Sequence, residues 1–216
     1  MRTQTFISSM VLSVACVSAA NAAVVDPFTV ASSATDDAGT VTETPITGGL
    51  WDTRYTSVQY RTTGTNRATA SLVVDPYPNA ATFTVTRVGA ANNQHDQSCA
   101  LEYEGGAPDV SNFTSLTFFY TSTFSALLFD IDLGGKTAAK TISASAGGTF
   151  TLTAAELIGA FNGVSYMNLV LRQDNSNANG TFTMTNLVAN GISIPAPGAA
   201  ALIGLAGLVA SRRRRN

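Results

Sequence analysis

Cysteine, histidine and tryptophan are almost missing from this 216-residue chain, which has two, one and one of them. A single histidine excludes the multi-histidine zinc centres of metallohydrolases, and no H-E-x-x-H stretch occurs. That histidine, His95, stands in ANNQHDQS beside Asp96, with Ser98 and Cys99 only three and four residues on. Nucleophilic triads draw their members from separated parts of a fold, and no nucleophile-elbow sequence is present. A glycosidase needs only two carboxylates, and nothing singles out a pair among the fourteen acids. The expectation is therefore a protein that is not an enzyme, with a glycan-active hydrolase as the minority reading. Charge is scarce too, at 12% of residues, and no apolar run reaches the length of an ordinary membrane span.

What is present is concentrated first at the ends. Met1-Arg2 is followed by a mostly apolar or small stretch, Phe6 to Ala20, and then by the A-x-A site Ala20-Asn21-Ala22. This is the grammar of a secretory signal peptide over residues 1–22, with a helical apolar core and cleavage expected between Ala22 and Ala23. At the other end, Gly198 to Ala210 form a 13-residue apolar run. As a helix it spans about 20 Å, short of the roughly 30 Å of a bilayer core. Arg212, Arg213, Arg214 and Arg215 follow it and are expected to stay on the cytoplasmic side during export. The run is apolar on every face, unlike a core-packing helix with a polar stripe.

The proline pair Pro195 and Pro197, the short Ala/Leu/Gly-rich helix and the terminal arginines resemble the PEP-CTERM sorting signal of exosortase-processed bacterial proteins. The resemblance covers 194–216 and departs from the family pattern at Ala196, where glutamate is usual. It implies transient membrane insertion of the tail, cleavage by an exosortase-like membrane protease after signal peptidase has acted, and residence at the cell surface, outer envelope or extracellular matrix. A plain membrane anchor is the alternative. The tail specifies an address, not an activity.

Between the ends lie residues 23–193. Without the terminal segments, seven basic side chains face fourteen acidic ones, a net −7. An acidic surface lacks the basic stripe that nucleic acid requires. Only Cys99 remains there, so no intramolecular disulfide is expected, and its small and apolar neighbours predict burial. Thr, Val and aromatic residues favour pleated, half-buried surfaces. LWDTRYTSVQYR alternates, predicting Trp51, Thr53 and Tyr55 on one face and Asp52, Arg54 and Thr56 on the other. ASLVVD, ATFTVTRV, CALEYE, SLTFFYT, SALLFDIDL, KTISAS, VSYMNLVL and GTFTMTNLV read as further strands between turn signals such as DPYPN and DNSNANG. The predicted fold is all-β, a two-sheet, jelly roll-like β-sandwich flanked by the signal helix and the short C-terminal helix. Thr153-Ala-Ala-Glu156 predicts a capping box opening a two-turn helix packed through Leu157, Ile158 and Phe161. ASSATDDAGTVTE reads as a loose polar arm.

SALLFDIDLGGK, TLTAAELIGAF, VSYMNLVLRQD and GTFTMTNLVANG together resemble galactose-binding-like and carbohydrate-binding jelly rolls. That resemblance implies polysaccharide as a partner. Trp51 and Tyr55 are then the candidate sugar-stacking platform, with core packing as the simpler reading of both. Asp130 and Asp132, two apart on a strand, share a face and form a candidate Ca²⁺ pair, against a plain solvent-facing strand end. Asp174, beside Asn175-x-Asn177-x-Asn179-Gly180, is the third candidate, although a hairpin loop explains the spacing better. Glu102 and Glu104 repeat the Asp130–Asp132 arrangement, and no other cofactor is implied. The protein recovered from outside the cell is expected to lack residues 1–22 and everything after Pro195 to Pro197, as read by intact mass. A product that keeps the arginines would leave a conventional anchor as the account of the tail.

Overall fold

The computed structural model describes residues 22–35, 41–60, 68–87, 95–143, 147–176 and 179–192. Residues 1–21 of the signal segment, with Ala20, and the tail with Pro195, Ala196, Pro197 and Arg212 to Arg215, lie outside them. Among the described residues no helix is long and apolar enough to cross a membrane.

The described chain is a two-sheet antiparallel β-sandwich. One sheet holds β1 (Ala22–Asp26), β2 (Ser32–Thr35), β5 (Ala68–Asp75), β6 (Ala80–Arg87), β8 (Ser115–Ser122), β11 (Gly148–Thr153) and β13 (Gly180–Asn190). The other holds β3 (Thr42–Pro45), β4 (Thr53–Tyr60), β7 (His95–Glu104), β9 (Ala126–Leu133), β10 (Lys136–Ser143) and β12 (Met167–Ser176). The strand orders are β11-β8-β13-β6-β5-β2, with β1 also on β13, and β10-β9-β12-β7-β4-β3. Side chains alternate between faces because the strand period is two. In β9, Leu127, Phe129, Ile131 and Leu133 are therefore buried while Leu128, Asp130 and Asp132 face outward. Phe129 meets Phe118 and Phe150 of the opposite sheet, with ring centroids 5.3 and 4.8 Å away.

Four expectations need correction. The polar arm holds β2 and the start of β3, both edge strands, since small and β-branched polar residues pair well at a sheet edge where one face is wet. The continuous apolar run FFY reads as a strand covered on both sides or central to the core, yet its Phe119 is 51% exposed, because pairing with β11 and β13 turns alternate residues of β8 outward. The DNSNANG segment joins β12 to β13, which lie in different sheets, so it crosses the sandwich and does not close a hairpin. The helix after Thr153 is a single 3₁₀ turn, Ala154–Glu156. Thr153 N and Oγ1 do donate to the Glu156 carboxylate, at 2.7 and 2.9 Å. The β-branched Ile158 then leaves the helix to pair with Thr137 at the free edge of β10, N–H to carbonyl in both directions. Of the expected packing face only Leu157 reaches the core.

A fifth correction concerns β4. Arg54, Thr56 and Val58 point inward, and Tyr55 points outward. Trp51 is buried as well, but in the bend before the strand, so the alternation does not run through it. Arg54 Nη1 meets Asp26 Oδ2 at 2.5 Å with both side chains essentially inaccessible. Arg54 Nη2 donates to Val30 O (2.6 Å) and Ser32 Oγ (3.0 Å), and Ser32 shares a hydrogen bond with Thr56 (2.8 Å). Asp26 Oδ1 accepts from the Phe28 amide. Tyr103 lies on β7 opposite Arg54, its hydroxyl pushed well up by burial and then by the Asp26 charge, with Arg54 opposing. A buried charge is tolerated only when paired and hydrogen-bonded. Arg54→Met is expected to cost about 3–5 kcal/mol of unfolding free energy in urea titration, with part recovered by Asp26→Leu in the same chain. A loss below about 1 kcal/mol, the range of an exposed pair, would contradict this reading.

Candidate functional site

The inward Arg54 sets what the other side of the six-stranded sheet presents. Tyr55 lies between Glu43 of β3 and Glu102 of β7 in the strand register. The same row continues through Asn168 of β12, Asp132 of β9 and Thr137 of β10. The neighbouring row runs Ser57, Ala100, Val170, Asp130 and Ala139. All of these side chains are half-buried or exposed, on the face turned away from the core.

At the β9–β10 side this face deepens into a cleft of about 390 Å³, lined by Asp130, Asp132, Asn168, Val170, Ala139 and Ile158 among others. Ile158 overhangs it from the segment that pairs with β10. Arg172 Nε sits 3.4 Å from Asp130 Oδ2, and Asp132 Oδ1 accepts the Gly135 amide at 2.9 Å. Burial and a hydrogen bond with Asp132 push the Tyr166 hydroxyl up. Asn168 Oδ1 is a buried acceptor with no donor among the described residues. An acceptor left in that state costs free energy until a donor reaches it. The cleft and the row beside it therefore carry carboxylate and amide oxygen acceptors beside the hydroxyl and amide donors of Tyr55, Thr137 and Asn168.

The Glu102 carboxyl is shifted up, first by partial burial and then by Glu104. The Tyr55 hydroxyl is raised by desolvation and by Glu43, Glu104 and Glu102.

Of the residues picked out from the sequence, Tyr55, Asp130 and Asp132 share this face. Trp51 does not: it is 1% exposed, with its ring 6.0 Å from Tyr103, so it cannot stack on a ligand. Asp174 belongs to β12, and its side chain lies outside the described residues. Among the described residues no group of three or more His, Cys, Asp or Glu comes together to hold a metal. Asp130 and Asp132 are engaged by Arg172 and the Gly135 amide. Cys99 is a buried free thiol whose ionisation is pushed up by burial. Asn168, Arg172 and Glu43 were not singled out by sequence, because only register across several strands brings them onto the face that carries Tyr55.

A clasp joins β10 to the 3₁₀ turn. Lys140 Nζ binds Glu156 Oε1 at 2.7 Å and Thr151 O at 2.9 Å. The Lys140 contact and the two Thr153 donors hold the Glu156 carboxyl down at about 2.

No protein-family model matches the chain. No curated protein matches it either. Among solved structures it is similar to a family 11 carbohydrate-binding module from Clostridium thermocellum, determined with a β-1,3-1,4-mixed-linked tetrasaccharide. That likeness has 12% identity and a TM-score of 0.46, over 81% of this chain and 98% of the module. A family 29 module from Piromyces equi matches at 8% identity and a TM-score of 0.35, over 74% of this chain and 91% of that one. An agarase, AgWH50C, matches at 10% and 0.39, over 64% of this chain but 23% of the enzyme. These are likenesses of sandwich architecture, and no residue role passes across them.

The clasp has a testable pH signature. A depressed carboxyl contributes stability in full above its unfolded value, near 4.5, and loses it as pH falls through the folded value. Glu156→Gln is expected to lower Tm at pH 7, with the gap to wild type closing between about pH 4.5 and 2. A gap independent of pH would show that the carboxylate charge has no part in the clasp.

Proposed function

We propose that this protein is an exported, non-catalytic module that binds an extended neutral polysaccharide along the outer face of its six-stranded sheet. The observation that carries the reading is the polar row Tyr55, Glu102, Asn168, Asp132 leading into the cleft under Ile158, with the unpaired Asn168 Oδ1 inside it. A sugar chain supplies many hydroxyl donors and an apolar ring face. Hydroxyls satisfy the acceptors, and a pyranose ring covers Tyr55, Val170 and Ile158. The acidic side chains disfavour an anionic glycan through like charge.

The terminal segments support delivery to the cell exterior: the signal segment leads the chain into export, and the PEP-CTERM-like tail holds it at the membrane until an exosortase-like protease releases it. Cleavage at Ala22–Ala23 would leave β1 intact as the first strand of the sandwich, since it loses only its first residue.

A glycan array is expected to show binding to neutral polysaccharides that persists in EDTA, because the carboxylates of the cleft have protein partners. Tyr55→Ala is expected to weaken that binding by about tenfold, the loss of one aromatic stacking contact. Absence of any neutral-glycan binding would remove the reading, and hydrolysis of a bound polysaccharide would replace it with a catalytic one.

A further inference from the structure

The loop after the 3₁₀ turn carries three exposed apolar side chains, Ile158 (76% exposed), Val164 (57%) and Phe161 (38%). They surround the β9–β10 turn. A Cβ on Gly134 would fall 2.4 Å from the Phe161 ring and 2.8 Å from Val164 O, and the glycine has φ +57°. Asn162 N donates to Gly134 O, and Val164 N to Asn162 Oδ1. The apolar tips are thus mounted on a bonded scaffold.

Both ends of the described chain emerge at this same end of the sandwich. Ala22, the first residue of β1, pairs with Asn190, the last of β13. Asn190 also pairs with Ser115, and Ser115 with Thr153, where the apolar segment begins. The 110–114 stretch bridges the two places. Thr114 N donates to Asn190 O, and a Cβ on Gly191 would strike Asn112 O, while Val110, Ser111 and Phe113 share a small hollow with Leu157 and Phe161.

From Ile192, only residues 193–197 separate the sandwich from the apolar run Gly198 to Ala210. Five residues reach at most about 18 Å. A tail buried in lipid therefore holds this end of the domain against the bilayer surface, where Ile158, Phe161 and Val164 are the side chains that gain from leaving water. We infer that the 157–164 loop is a lipid-contacting surface, seated on the bilayer for as long as the tail is inserted. The inference rests on the membrane role proposed for the tail, and it shares Ile158 with the glycan cleft while Phe161 and Val164 lie outside that cleft's lining.

The test uses the full chain with phosphatidylethanolamine vesicles carrying brominated acyl chains, in which a tryptophan near lipid loses emission. Val164→Trp and Phe161→Trp are the reporters, and Ser125→Trp, in the β8–β9 turn at the opposite end, is the control; native Trp51 is buried. Loss of emission at 164 and 161 but not at 125 is expected. Ile158→Asp in the Val164→Trp chain is expected to abolish that loss while the chain still floats with the vesicles. Flotation with no quenching at either reporter, or equal quenching at 125, would overturn the lipid contact alone. Failure of the wild-type chain to float would overturn both the contact and the membrane role of the tail.

Discussion

A guanidinium buried between two sheets constrains the rest of this sandwich. Arg54 projects from β4 into the core, where Asp26 at the end of β1 neutralises it and Val30 and Ser32 accept from its Nη2. Both partners come from different sheets, so the pair fixes how the short N-terminal strands sit over the six-stranded sheet. Leaving either charge alone in that interior costs far more than an exposed pair contributes. Slipping β4 by one residue would carry Arg54 into solvent and Tyr55 into the core, breaking the pair and the outer face together.

The outer face follows from that register. With Arg54, Thr56 and Val58 committed inward, Tyr55 must lie outward, and the antiparallel ladder places Glu102, Asn168 and Asp132 beside it. The segment after Thr153 completes the relief. Its helix fails after one turn, and Ile158 becomes a one-residue extension of the β10 edge that roofs the cleft on one side. The backbone groups of Thr137 on that edge are thereby paired.

The continuous apolar runs in ALLFDIDL and SLTFFYT made these strands legible, as did the turn residues of DPYPN. Ser32–Thr35 and Thr42–Pro45 were not, because edge strands wet on one side carry little hydrophobic pattern. Alternation in LWDTRYTSVQYR misleads for a specific reason. Trp51 marks a buried position, but a bend separates it from the strand, and the strand's inward face is built around an arginine that local patterning assigns to solvent. Only its partner Asp26, far off in the chain, makes that arginine a core residue. The pair Asp130 and Asp132 was readable from spacing alone. Their engagement by Arg172 and the Gly135 amide was not, since it depends on neighbours from another strand and a turn.

The claim that this register creates a glycan-binding face is tested most directly by amide chemical-shift mapping of the sandwich during titration with neutral oligosaccharides. The account predicts saturable shifts at Tyr55, Glu102, Asn168, Val170 and Asp132, with Val73 and Phe119 on the opposite sheet unmoved. Shifts confined to the opposite sheet, or none anywhere at millimolar ligand, would contradict it.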